Sequence, residues 1–411
     1  MNTNNDYFTK ILGKYVLGKC REDNINKDSS LAFKVSWRPQ HILKRFHCGD
    51  KGEIDNLSAV IHGINDLRLE NRPIPVTKPN QVLVQMESVG ICGSDVQFLV
   101  KGRIGPFIIK KPMVIGHEGC GTVVKTGKQV ENLKIGDRVA IEPGVPCRKC
   151  QNCREGRYHL CPQIYFCATP PDDGLLQRFY AHDADFCFKL ADNMDFDEGA
   201  AVEPLACACR ACRRGKVKIG SNIMILGCGP VGLMTLMASK AMGADGVVVL
   251  DNKLHRLEKS KELGADHIID ISGMEENEIV EKVFQLLNCK PSISFECSGA
   301  ELSVRIGMMA TRTGGKFIIV GCGADQMRLP FMPAALSEID MLGVFRYVNE
   351  YPTAIGLISS KKVKAKTIIT HHFSMEESAS AFDIARTGKC NPIKIIIHPN
   401  SKWKASVSSN T

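Results

Sequence analysis

The 411 residues carry 53 Lys and Arg against 44 Asp and Glu, a net charge of +9 scattered along the chain rather than gathered into a stripe, so no nucleic-acid partner is expected. At 44% apolar residues the chain is long enough to bury two cores, yet no apolar stretch approaches the roughly 18–20 residues of a membrane span. Eighteen cysteines in a chain this long, with no charged-then-apolar signal segment, point to metal binding in a reducing, cytoplasmic compartment rather than to a disulfide framework.

Residues 1–57 are polar, with ten basic and seven acidic side chains and no sustained periodicity, and are expected to form a poorly ordered extension. Acids such as Asp6, Glu22, Asp23 and Asp28 argue against a mitochondrial presequence. Residues 58–204 give short β-rich runs broken by Gly and Pro, for example Gln81 to Gln85 and Gly119 to Val124, with a turn at Gly136-Asp137, and predict a mostly β domain. In residues 205–345 the rhythm changes. Apolar runs at Ile223 to Leu226, Val247 to Leu250, Ile293 to Glu296, Phe317 to Val320 and Met341 to Val344 alternate with helical stretches such as Val231 to Met242 and Leu254 to Leu263. This alternation predicts an α/β domain with a doubly wound parallel sheet of about six strands. Residues 346–404 are expected to return to the β domain, with Ile393 to Ile397 as a further apolar strand.

Gly227-Cys228-Gly229-Pro230-Val231-Gly232 is a G-x-G-x-x-G between a predicted strand and a predicted helix. Gly227 permits the tight turn, Gly229 lets the backbone approach a pyrophosphate, and Gly232 allows close helix–strand packing. Nineteen residues after Gly232, Asp251 ends the next strand, where a carboxylate accepts from both adenosine-ribose hydroxyls and disfavours a 2′-phosphate. NAD is therefore the expected cofactor, although Arg256 nearby is able either to bind a 2′-phosphate or to stack on the adenine.

Cys147, Cys150, Cys153 and Cys161 form C-x2-C-x2-C-x7-C, the pattern of a closed tetrahedral zinc site with a structural role. A second, dispersed set is Cys92 in Gly90-Ile91-Cys92-Gly93-Ser94-Asp95, with His117-Glu118 in Gly116-His117-Glu118-Gly119. An isolated Cys or His is usually structural, but beside a nucleotide site these residue types suit a catalytic zinc, which takes three protein ligands and keeps one position open.

In this order, G-I-C-G-S-D, G-H-E, the four-cysteine lobe and G-x-G-P-x-G resemble the zinc-containing medium-chain dehydrogenases from about Leu57 to Pro399. Phe166 to Gly174 and Gly343-Val344-Phe345-Arg346-Tyr347 are similar to the animal sorbitol (polyol) dehydrogenases, of the L-iditol 2-dehydrogenase type. The resemblance implies a GroES-like catalytic domain beside a Rossmann domain, one catalytic and one structural zinc per chain, and a homotetramer. By it, Cys92, His117 and Glu118 bind the catalytic zinc, with Glu203 near it directly or through a water that substrate also touches. Phe98, Glu203, Arg346 and Tyr347 face the polyol; Val344, Phe345 and Arg346 line the nicotinamide end; Val231, Asp251, Arg256, Val320, Gly321 and Cys322 contact the rest of the cofactor.

Departures from the family pattern fall near the substrate. Gln97 stands where a His is usual, Phe98 where a Tyr hydroxyl is usual, and Leu99 where a Trp is common. Loss of a hydroxyl partner in a buried site weakens polyol recognition by roughly 1–3 kcal/mol. Ser94 is the candidate for passing the substrate proton outward, its alternative being a residue that merely turns the loop. The expected reaction is oxidation of a polyol secondary hydroxyl to a ketose with hydride transfer to NAD, such as sorbitol to fructose or a reaction of xylitol. Its rivals are another zinc medium-chain alcohol or amino-alcohol dehydrogenase, and a catalytically inactive zinc-stabilised binding protein.

Overall fold

In Gln81–Gly90 buried side chains recur on both faces, as expected of a strand covered on two sides, and this strand is the hub of the β domain. It pairs antiparallel with Glu118–Thr126, Phe179–Asp183 and Lys394–His398 in a seven-stranded sheet that also takes in Arg138–Ile141, Cys187–Lys189 and Ile369–Ser374. The computed structural model describes residues 56–400. A smaller three-stranded sheet of Asn56–Gly63, Asp66–Arg72 and Met113–Val114 lies in the same half of the chain.

The extension expected over 1–57 lies outside the described residues except at its end, where the expectation is corrected. Asn56 and Leu57 open the first strand. Asn56 is fully buried, donates to Gln177 Oε1 at 2.8 Å and accepts the Phe179 N–H at 2.8 Å, and such satisfied polar contacts hold backbone that composition alone marks as loose.

Six parallel strands form the second sheet, in the spatial order His267–Asp270, Val247–Asp251, Ile223–Leu226, Ile293–Glu296, Lys316–Ile319, Asp340–Gly343. With the strands numbered along the chain this is the 3-2-1-4-5-6 order of a dinucleotide-binding domain, whose crevice opens where the order reverses beside Ile223–Leu226. Helices Pro230–Ala241, Leu254–Glu262, Glu276–Leu287 and Glu301–Ala310 connect the strands. The strand His267–Asp270 has no counterpart among the named apolar runs, because it holds only two apolar residues between His267 and Asp270.

The helix Val202–Gly215 joins the halves, packing on Pro230–Ala241 on one side and on Tyr351–Ser359 on the other. Its buried face, Val202, Leu205, Ala206, Ala208, Cys209, Ala211 and Cys212, belongs to the largest apolar core. A second core fills the β domain. After Asp340–Gly343 the chain crosses back, and Lys394–His398 inserts between Gln81–Gly90 and Ile369–Ser374.

Candidate functional site

Cys92 stands at the start of the helix Gly93–Lys101, with its N–H donated to Asp95 Oδ2 at 2.9 Å. The other oxygen of Asp95 lies 3.2 Å from His117 Nδ1. Asp95 is fully buried, and with Nδ1–H donated to it the lone pair of His117 resides on Nε2. Ligand atoms of Cys92, His117 and Glu118 all lie within 4.8 Å of one another. One thiolate, one imidazole and one carboxylate, with the imidazole oriented by a buried carboxylate, fit a zinc ion that keeps a position for substrate or water.

Glu118 begins the strand Glu118–Thr126 and crosses Gly90 on the neighbouring strand; a Cβ on residue 90 would come within 2.2 Å of its Oε2. Lys394, from the returning C-terminal strand, donates to that same oxygen at 2.5 Å and to the Ile91 carbonyl at 3.0 Å. Both side chains of this ion pair are 2% exposed. A charge so buried persists only when paired, so the lysine fixes one carboxylate oxygen and leaves the other to a cation. Neither Asp95 nor Lys394 carries a role in the sequence reading. Their signals were present: Asp95 completes the G-I-C-G-S-D run, and Lys394 interrupts an apolar strand.

Glu203 is buried in the first turn of Val202–Gly215. Burial pushes its carboxyl up to about 7; the His117 ring pulls it down and the Glu118 carboxylate pushes it up. Cys207, one turn on, points its thiol toward Glu203 Oε1 at 3.9 Å. Arg346 adopts a left-handed backbone (φ 55°) and lays its guanidinium over Phe166, 3.5 Å from the ring centroid, with Phe345 at 4.5 Å and Thr169 Oγ1 at 3.4 Å. Phe166 in turn lies 6.2 Å from the His117 ring, which brings Arg346 to the metal-ligand group. Burial lowers Arg346 to about 10. Tyr347 is 2% exposed and lies against Glu203 and Tyr351, its ring centroid 5.4 Å from that of Tyr351.

Ser94 lies in the first turn of Gly93–Lys101, two residues after Cys92. Phe98 and Leu99, one turn on, are buried in the β-domain core, while Gln97 reaches across the cleft to the Cys322 carbonyl at 3.4 Å.

At the nucleotide end Gly227 has φ 101°, and a Cβ on Gly232 would stand 1.8 Å from the Gly227 carbonyl. A Cβ on Gly229, the residue before the helix Pro230–Ala241, would meet nothing within 4 Å, which leaves room for a pyrophosphate at the helix start. Val231 follows in that first turn. Asp251 accepts the Cys228 N–H at 2.6 Å on one oxygen and the Lys253 N–H at 2.9 Å on the other, so each oxygen retains accepting capacity. Arg256 Nε is buried without a hydrogen-bond partner among the described residues. Val320, Gly321 and Cys322 follow the strand Lys316–Ile319, and the Val320 and Gly321 N–H groups both donate to the Glu296 carbonyl at 2.9 Å. Val344 and Phe345 follow the last strand, with the Val344 N–H donated to Ile319 at 2.8 Å and Phe345 exposed. These loops share the carboxyl end of the sheet with the glycine turn, and the arrangement fits a dinucleotide.

The sulfurs of Cys147, Cys150, Cys153 and Cys161 also lie within 4.8 Å of one another. Separations of 3.4 Å for Cys150–Cys153 and 4.0 Å for Cys147–Cys153 bracket the ~3.8 Å between sulfurs around a tetrahedral zinc. Backbone N–H groups of Lys149 and Cys150 lower the Cys147 thiol to about 6. Arg148 ties the lobe down through Asp183 at 2.8 Å and Asp185 at 2.9 Å.

Residues 78–192 match the alcohol dehydrogenase GroES-like domain and residues 230–360 the zinc-binding dehydrogenase domain. Sorbitol dehydrogenase of Mus musculus is 52% identical over 352 residues, 86% of this chain and 98% of the mouse protein. The Homo sapiens sorbitol dehydrogenase is also 52% identical, across 82% of this chain and 97% of its own. Among solved structures, an Escherichia coli oxidoreductase of unknown specificity superposes with a TM-score of 0.80 at 36% identity, covering 84% of this chain and 99% of its own. A 2R,3R-butanediol dehydrogenase from Bacillus subtilis gives 0.77 at 29% identity over 84% of this chain and all of its own. The chain belongs to the zinc-containing medium-chain dehydrogenases, and within them to the family of the sorbitol dehydrogenases.

Proposed function

We propose that the protein oxidises a secondary hydroxyl of a polyol to a ketose, sorbitol to fructose being the type reaction, with NAD as hydride acceptor. It is an NAD-dependent zinc enzyme. The observation that carries this is identity of 52% with the mouse sorbitol dehydrogenase across nearly all of that protein.

Cys92, His117 and Glu118 would hold a zinc ion, which when bound would supply Lewis acidity at the substrate oxygen. Asp95 and Lys394 hold His117 and Glu118 in place, so the donor set is preorganised. Glu203, raised toward neutrality by burial, holds a water or the substrate hydroxyl by hydrogen bond, and Ser94 passes the released proton outward. The Arg346 guanidinium and the Tyr347 hydroxyl donate to other hydroxyls of the polyol. Phe98 contributes an apolar wall on the helix side. Gly227, Gly229, Val231 and Gly232 take the pyrophosphate, Asp251 and Arg256 the adenosine, Val320, Gly321 and Cys322 contact the cofactor between its ends, and Val344, Phe345 and Arg346 line the nicotinamide end. The Cys147, Cys150, Cys153 and Cys161 zinc orders the lobe. A residue that titrates is absent at Gln97, so proton transfer runs on the Ser94 and Glu203 side.

A cytoplasmic homotetramer is the assembly we propose. Sixteen free thiols among the described residues suit a reducing compartment, and no helix among those residues is long and apolar enough to cross a membrane. The sheet ends in the edge strand Asp340–Gly343, and the helix Phe331–Leu336 that precedes it in the chain exposes Phe331, Met332 and Leu336, apolar surface that a second copy would cover.

The test is NADH formation by zinc-loaded protein with sorbitol, xylitol and a simple alcohol, each with NAD and NADP. Highest kcat/KM on a polyol with NAD supports the assignment. Activity confined to a simple alcohol or to NADP removes the polyol reading.

A further inference from the structure

Outside the two cysteine-containing groups, Asp197, His372 and His398 place one ligand atom each within 4.8 Å of the others. They come from three elements of the β domain: the short helix Phe196–Ala200, the strand Ile369–Ser374, and the last residue of Lys394–His398. The imidazoles stack, with centroids 5.4 Å apart and planes 14° from parallel, and His372 Nδ1 stands 3.1 Å from His398 Nε2. One carboxylate oxygen of Asp197 lies 3.8 Å from His372 Nδ1 and the other 3.9 Å from His398 Nε2.

Those last two separations exceed hydrogen-bond length. They sit close to the roughly 3.3 Å between nitrogen or oxygen donors that share a zinc at about 2.0–2.2 Å. The 3.1 Å contact between the two imidazoles is a hydrogen bond that a bound metal would replace, and the surroundings suit that exchange. His398 Nδ1 faces the Glu87 carbonyl at 3.2 Å, so its N–H has an acceptor and the lone pair of Nε2 turns toward the other two residues. The Ser88 hydroxyl donates to Asp197 Oδ1 at 2.9 Å and fixes the carboxylate. His398 and Asp197 keep side-chain exposures of only 10% and 15%, and His372 of 29%, which leaves one side open to solvent.

We propose that Asp197, His372 and His398 form a third metal site, selective for a divalent first-row cation of the Zn2+ type. Two imidazoles and one carboxylate suit such an ion and are poor ligands for Mg2+ or Ca2+, which take oxygen donors. The bound ion clamps both returning strands onto the helix that leads directly into Val202–Gly215 and Glu203. His398 and Lys394, the lysine paired with Glu118, share a face of one strand, about 13 Å apart at ~3.3 Å per residue. The third site therefore braces the scaffold of the catalytic group from outside it.

Cobalt separates the sites by their ligands. Untagged full-length protein is titrated with Co2+, and sulfur-to-metal charge-transfer absorption is followed alongside the visible d–d bands. The two cysteine-containing sites give both signals; the third gives d–d absorption alone. Wild type is expected to bind one equivalent without the sulfur signal. His398→Gln and Asp197→Asn should each weaken it by more than the roughly 10–100-fold that loss of an outer hydrogen-bond partner costs, with both sulfur-containing equivalents and turnover retained. Zn2+ should also raise the thermal midpoint of wild type beyond that of either variant. His372→Gln serves if one of these variants fails to fold. Saturation of wild type with no sulfur-free equivalent, or its retention in the His398 and Asp197 variants, overturns the site.

Discussion

The four-cysteine lobe draws every donor from one short stretch, Cys147 to Cys161, and its sulfurs are positioned by neighbouring backbone N–H groups. The catalytic group takes Cys92 from a helix start and His117 and Glu118 from the entry to a strand, and depends on Lys394 from near the end of the chain. A local site survives changes elsewhere in the fold. A dispersed one fails whenever any of its elements moves, and that dependence is what lets it meet a cofactor carried by the other half of the molecule.

Removing one donor from each site is the strongest test of that contrast. His117→Ala should lower kcat by roughly a thousandfold or more, the equivalent of several kcal/mol of lost Lewis-acid stabilisation, with NADH binding by fluorescence titration unchanged. Cys153→Ser should instead lower the thermal midpoint while molecules that remain folded retain most of their turnover. Equal losses of kcat in the two variants would end the distinction between a catalytic and a structural zinc.

Lys394 probes the dependence of the dispersed site on the distant chain. Lys394→Met leaves Glu118 buried without its cation, which costs about 3–5 kcal/mol of stability and, as an outer partner of a metal ligand, roughly 10–100-fold in zinc affinity. The lobe zinc should be retained, so metal analysis of the purified variant is expected to fall toward one equivalent at the two cysteine-containing sites. Two equivalents held at wild-type affinity would show that Lys394 plays no part in positioning Glu118.

The same contrast governs what the sequence discloses. Strand Ile223–Leu226, the glycine turn and Asp251 were readable because period, spacing and chain order all lie within one βαβ unit. The lobe was readable from Cys-x2-Cys spacing. Cys92, His117 and Glu118 were only weakly readable from residue type beside a nucleotide site and were firmed by resemblance, since no local period connects a helix start to a strand start 25 residues later. Asp95 and Lys394 left signals in the sequence without a role attached, whereas the Asp197, His372, His398 cluster was not legible, because it depends on which strand lies beside which. Sheet register decides that: Ile396 pairs with Gly90 and His372 with Ile396. Phe98 shows the opposite limit. The resemblance sets it at the substrate, and the structure adds that it is also packed among the β-domain core side chains, which motif position does not disclose.

Glu142 lies between the two regions and measures how far they are coupled. It ends on the lobe side at Tyr158, whose hydroxyl donates to Oε1 at 2.6 Å and accepts the Asn349 N–H at 2.9 Å, two residues beyond Tyr347. Its Oε2 is buried without a partner among the described residues, and burial raises its carboxyl from 4.5 to about 8, despite the Tyr158 hydroxyl and with Glu203 adding to the rise. In the folded protein this group stays protonated through neutrality, whereas in the unfolded chain it ionises above pH 4.5. Stability from this carboxyl is therefore complete below pH 4.5 and is lost as pH climbs toward 8, by up to roughly 3 kcal/mol at pH 7. Glu142→Gln keeps an acceptor for Tyr158 and cannot ionise, so urea unfolding at fixed zinc should show the variant gaining on wild type steadily between pH 5 and pH 8. Parallel stability curves would mean that the folded protein does not hold Glu142 protonated and that its carboxyl titrates there as in the unfolded chain.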